Sequence, residues 1–207
     1  SFSHSVATAE INLRYVWVIA FVAALGGLLF GYDWVVIGGA KPFYEPYFHL
    51  TTETQIGWAN SCALIGCFIG SLIGCRGGDY IGRKRVLLVS ACIFTVSSLL
   101  TGWAFHFSDF IAWRITGGIA IGLASNVSPT YIAEISPAEW RGRLVSLNQL
   151  AVVLGILAAQ VVNWLIARPV SDELSQAMMF ATWNVQYGWR WMFTAVAVPS
   201  LIFLATV

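Results

Sequence analysis

The sequence predicts an all-α membrane protein built on six transmembrane helices, and three observations carry that prediction. Of its 207 residues, 58% are hydrophobic and 10% charged, with a mean hydropathy of +0.74. A soluble domain needs about 25% charged residues to cover its surface. Six apolar segments are each long enough to cross about 30 Å of hydrocarbon at about 1.5 Å of helical rise per residue. Lysine and arginine are shared unequally between the two sets of connecting loops. The formal net charge of +1 offers nothing to a polyanion, so no nucleic-acid partner is expected. Ten tryptophans and seven tyrosines suit a chain in contact with two lipid–water interfaces.

The first span, Tyr15–Ala40, follows a polar start and contains Asp33. It is too long for the core of a signal peptide and is read as a retained first helix. The second, Ile56–Cys75, is uncharged and carries Gly66, Gly70 and Gly74 at four-residue spacing. The third, Val86–Phe105, is also uncharged. The fourth, Phe110–Ala133, contains Arg114 together with Gly118 and Gly122. The fifth is Leu144–Ala167, and the sixth, Trp191–Val207, stays apolar to the last residue. Small residues in one stripe let membrane helices approach closely, so the glycines predict a tight bundle and no ligand. Cys62, Cys67, Cys75 and Cys92 lie in apolar runs without CxxC spacing or a histidine cluster. They are read as small buried packing residues, and no metal or other cofactor is expected.

Orientation follows from the positive charges. Arg14, Arg76, Arg83, Lys84, Arg85, Arg141 and Arg143 fall on one side, and Lys41, Arg168 and Arg190 on the other. The richer side is expected in the cytoplasm, with the N-terminus and the loops after helices 2 and 4. The loops Lys41–Gln55 and Arg168–Arg190 then face outward, and the second is expected to include a short interfacial helix.

Asp33 and Arg114 are the charges well inside the apolar spans. Asp33 lies seven residues before the outer end of helix 1, roughly 10 Å deep, and Arg114 four residues past the outer end of helix 4, roughly 6 Å deep. A lone charge at membrane depth costs roughly 2.5 to 3.5 kcal/mol even on the gentler insertion scales, so a neutralising pair is expected. Burial favours the protonated carboxyl, whereas a nearby guanidinium favours the carboxylate. Separating the pair would therefore let Asp33 take up a proton, and closing it would expel one. A static salt bridge fixing two helices is the other reading of the same two positions.

The motifs containing these residues resemble one family. GGLLFGYDWVVIGGA, residues 26–40, is similar to the first helix of the sugar porters, a branch of the major facilitator superfamily. RITGGIAIGLASNVSPTYIAEISPAEWRGR, from Arg114 to Arg143, resembles the family's helix 4 and the loop after it. SLNQLAVVLGILAAQ, from Ser146 to Gln160, looks like its helix 5, and GWRWMF, from Gly188 to Phe193, like the approach to helix 6. GDYIGRKR, from Gly78 to Arg85, resembles the superfamily signature between helices 2 and 3. Three departures stand out. Cys75 replaces the usual first glycine of that signature, Tyr80 replaces a basic residue, and Trp34 and Val35 replace smaller residues beside Asp33.

The resemblance implies that residues 1–207 form the N-terminal six-helix half of a major facilitator fold, made of two inverted three-helix repeats. The C-terminal half is absent from this chain, and the expected P-E-S-P-R motif after helix 6 lies beyond its end. Bacterial D-xylose/hexose:proton symporters are similar members. The implied activity is proton-coupled symport of a monosaccharide, xylose or a hexose such as glucose, by alternating access. The implied partners are the sugar, protons, the lipid bilayer and the second half. In proton-coupled relatives the helix 1 position held here by Asp33 is an aspartate, and in passive uniporters an asparagine. Asp33 and Arg114 are thus assigned to proton coupling, and Phe30, Gln149 and Ile156 to the sugar. Asp79, Gly82, Arg83, Glu134 and Arg141 are assigned to a cytoplasmic gate, and the location implied is the inner (plasma) membrane. A facilitative uniporter and a sugar sensor or half-transporter needing a second half are the alternatives. An intramembrane enzyme is disfavoured, because His4, His49 and His106 lie outside helix interiors and no GxSxG motif is present.

Overall fold

Among the described residues, six helices are long and apolar enough to cross a membrane. The computed structural model describes residues 13–169 and 180–207. The first five spans are α1 (Leu13–Tyr47), α2 (Glu53–Ile81), α3 (Arg83–Gly102), α4 (Phe107–Ile135) and α5 (Arg141–Ile166). The sixth, Asn184–Thr206, opens with a π-helical turn at Asn184–Gly188 and continues as α6 (Trp189–Ala195) and α7 (Ala197–Thr206).

Two boundaries differ from the sequence expectation. Helix 1 continues to Tyr47 although Pro42 and Pro46 lie within it, so Lys41 is helical and forms an i,i+4 ion pair with Glu45 at 3.7 Å. The continuation is held by packing, because Tyr44 is fully buried against Phe110, with ring centroids 5.2 Å apart. The sixth span starts at Asn184 rather than Trp191. Polar Asn184 and Gln186 and charged Arg190 hide this turn in a hydropathy profile. Its Trp189 is nevertheless fully buried, packs against Tyr47, Phe48, Phe110 and Phe193, and donates its indole N–H to the Val185 carbonyl. The interfacial helix expected in the loop 168–190 falls largely on 170–179, outside the described residues.

Helix α2 packs along α4, and α1 along α5; α1 also meets α4, α3 packs on α4, the sixth span packs on α1, and α3 meets the sixth span. Exchanging helix 1 with 4, 2 with 5 and 3 with 6 reproduces this set of contacts, the relation that inverted repeats require. Glycines allow both long crossings. A methyl group on Gly66 or Gly70 would strike the Ile115 or Ile119 carbonyl of α4, and one on Gly118 or Gly122 the Ala63 or Cys67 carbonyl of α2. The equivalent crossing uses Gly31 against Val152 and Gly155 against Leu28. Gly27 and Gly31 stand four residues apart, and Gly155 lies between Ala151 and Ala159 at the same spacing, so this stripe is present in the sequence although the glycine reading singled out only helices 2 and 4.

The two flanking helices remain open. α2 exposes Leu64, Phe68 and Leu72, and α5 exposes Leu150, Val153 and Leu157. Of the cysteines, Cys62 is buried as expected, but Cys75 and Cys92 are exposed. An apolar neighbourhood in sequence marks membrane depth and not burial within the bundle, which is the physical reason for that error.

Candidate functional site

One face of α1 forms a wall. Phe30, Asp33, Trp34, Ile37 and Gly38 follow the i, i+3, i+4, i+7, i+8 pattern of a single helical stripe, and all line one cleft of about 250 Å³. Asn60, Ala63, Leu64 and Cys67 of α2 and Arg114, Gly118 and Ile121 of α4 complete it. The cleft is hollow because Gly38, Ala63 and Gly118 project little or nothing into it.

At this wall Arg114 Nη1 donates to Asp33 Oδ1 over 2.6 Å. Asp33 is 6% exposed and Arg114 5%, so the two charges compensate each other away from solvent. The contact is a single charge-assisted hydrogen bond rather than a two-pronged fork. The guanidinium also sits 5.5 Å from the centroid of the Phe193 ring, and Arg114 Nε is buried with no hydrogen-bond partner. The pair is therefore held by one hydrogen bond and leaves a buried donor unused.

Asn60 is a cleft residue that the sequence reading missed. Its Oδ1 accepts from the Tyr44 hydroxyl at 3.0 Å, and its Nδ2 donates to the Ile56 carbonyl at 2.8 Å. An asparagine inside the otherwise apolar second span was the available signal.

Phe30 shares the cleft with Asp33 and Arg114. Gln149 and Ile156 do not border it. They lie seven residues apart on α5, Gln149 exposed and Ile156 half-buried, and Gln149 makes no hydrogen bond among the described residues.

A second charged cluster lies where α2, α3 and α4 end or begin. Arg83 Nη2 bonds Asp79 Oδ1 at 2.6 Å and Glu134 Oε1 at 3.1 Å, and its Nε reaches the same Glu134 oxygen at 3.3 Å. Gly78 provides the seat, since a Cβ there would collide with the Arg83 guanidinium. Gly82 joins the two helices at φ +92° and ψ 142°, backbone that an L side chain enters only under strain. Arg141, assigned to the same group from sequence, is exposed and makes no ion pair among the described residues. It stands at the first residue of α5, outside the cluster. Cys75, the departure from the signature glycine, lies 3.8 Å from Asn126 Nδ2, which also donates to the Ser71 carbonyl and hydroxyl at 3.3 Å. A polar tie between α2 and α4 thus runs through the altered position. No group of three or more metal-ligating side chains occurs among the described residues.

Six apolar helices in two inverted triplets, with a buried ion pair at a cleft wall, define a multi-pass integral membrane protein of the major facilitator type. The family described as "Sugar (and other) transporter" matches residues 19–207, and the chain belongs to that family. Among curated proteins it is 40% identical to the glucose transport protein of Synechocystis, over 97% of this chain and 42% of the relative. It is 36% identical to the D-xylose-proton symporter of Escherichia coli K12, over 94% of this chain and 43% of that protein. Among solved structures, the partially occluded inward-open conformation of the xylose transporter XylE from E. coli superposes with a TM-score of 0.84 at 35% identity, over 93% of this chain and 47% of the other. The chain therefore spans under half the length of the relatives it matches, and its fold is that of their N-terminal half.

Proposed function

We propose that this chain is the N-terminal half of a proton-coupled monosaccharide symporter that works by alternating access, with xylose or a hexose such as glucose as the sugar. The observation that carries the reading is the buried Asp33–Arg114 pair at the wall of a cleft. A carboxylate held by one hydrogen bond at membrane depth can exchange its guanidinium partner for a proton when the helices shift. Relatives named as a D-xylose-proton symporter and an arabinose-proton symporter support the coupling, and those named for glucose support the wider sugar range.

In this reading the cleft forms one side of a midplane sugar path. Phe30 offers the sugar an apolar ring, and Gln149 and Ile156 of α5 contact it from a separate face of the half. The second half covers the exposed apolar faces of α2 and α5. The Arg83 cluster with Asp79 and Glu134 is an inner latch, Gly82 supplies its turn, and Arg141 joins in a conformation other than this one. The N-terminus is cytoplasmic, and the membrane is the inner (plasma) membrane.

The test is made on the full-length protein in sealed proteoliposomes without an imposed gradient. Addition of xylose or glucose should draw protons with the sugar and alkalinise the outside. Sugar entry without any pH change would leave a facilitative uniporter instead.

A further inference from the structure

Trp34 is 57% exposed although it is the bulkiest side chain at the cleft and stands directly after the buried Asp33. One helical turn earlier is Phe30, on the same stripe of α1 and against the same cleft. The indole N–H makes no hydrogen bond among the described residues, so the ring brings a flat apolar face and a free donor to the cavity. Across from it, Asn60 spends one N–H on Ile56 and one lone pair on Tyr44, which leaves an amide N–H and a lone pair uncommitted. Gly38, Ala63 and Gly118 leave space between these groups.

We propose that Trp34 is a substrate-contacting residue that, with Phe30, forms a two-ring aromatic wall for the apolar C–H face of a monosaccharide ring. The match is one of chemistry. A pyranose has a face of C–H groups and a rim of hydroxyls. The aromatic wall takes the face, while the free indole N–H and the uncommitted Asn60 amide groups take the rim. Asp33 lies between the two rings on the same stripe, only 6% exposed and bonded to Arg114. Trp34 therefore sets affinity for the sugar without taking part in proton transfer. The inference rests on reading the cleft as part of the sugar path.

The test uses the full-length protein in proteoliposomes. Equilibrium exchange of labelled sugar gives KM, sugar-driven proton uptake gives the coupling ratio, and the purified protein gives tryptophan fluorescence with and without sugar. Trp34→Thr should raise the exchange KM roughly five- to tenfold with the proton-to-sugar ratio unchanged, and Trp34→Phe should recover most of the affinity. The sugar-induced fluorescence change should be lost in Trp34→Phe, a readout that does not depend on the threonine variant folding. An unchanged KM in Trp34→Thr, or a full fluorescence response in Trp34→Phe, overturns the role of Trp34 and leaves the transport reading intact. Failure of the unmodified protein to exchange any monosaccharide overturns both.

Discussion

Arg114 Nη1 and Asp33 Oδ1 meet at 2.6 Å across 81 positions of sequence, joining α4 to α1 at a depth where neither charge reaches solvent. The two helices are the first members of the two repeats. The pair therefore spans the internal symmetry of the half, where a relative movement of the triplets would be felt first.

Removing one partner should be worse than removing both. Arg114→Leu strands a buried carboxylate, and breaking such a pair costs about 3 to 5 kcal/mol in soluble proteins. The double variant Arg114→Leu with Asp33→Asn leaves no charge behind. Thermal unfolding in detergent should show a clear drop in Tm for the single variant and recovery of most of it in the double.

Gly82→Ala places a side chain at φ +92° with no atom near enough to clash, so its effect reports backbone strain alone. It should destabilise by about 1 to 3 kcal/mol. Gly142→Ala, where the space is equally open and φ is ordinary, is the control and should be near neutral by the same melting assay.

Close helix approach makes the opposite case. Gly70→Val pushes a branched side chain into the Ile119 carbonyl, whereas a Cβ at Gly57 has nothing within 4 Å. The first should abolish recovery of folded protein by size-exclusion chromatography, and the second should leave it largely unchanged.

The inner cluster predicts which charges speak to one another. A double-mutant cycle on Arg83 and Glu134 should give a coupling of about 0.2 to 1 kcal/mol, the range for exposed pairs. The same cycle on Arg141 and Glu134 should give none in this conformation. Chemical denaturation of the four variants in each cycle makes the comparison.

Much of this arrangement was legible in the sequence, for identifiable reasons. The spans showed because bilayer thickness fixes their length, and the Asp33–Arg114 pair showed because two opposite charges at similar depth have few other solutions. Helix ends were harder. Tyr44 and Trp189 carry helix past the apolar limits by burying aromatic rings against neighbours from distant sequence, which no local hydropathy records. Asn60 escaped because a single amide in an apolar run carries little signal until Tyr44 is seen bonded to it. Arg141 was grouped with Glu134 by motif spacing, yet the start of α5 holds it apart from the Arg83 cluster. Trp34 registered only as an enlarged residue; its exposure to the cleft follows from which stripe of α1 faces α2 and α4.

The central claim is that Asp33 is the proton site of a sugar symporter, and Asp33→Asn in the full-length protein tests it most directly. In proteoliposomes with an imposed inward proton gradient, the variant should lose uphill accumulation of sugar while retaining exchange of labelled for unlabelled sugar across the membrane. Accumulation equal to that of the unmodified protein would contradict the account.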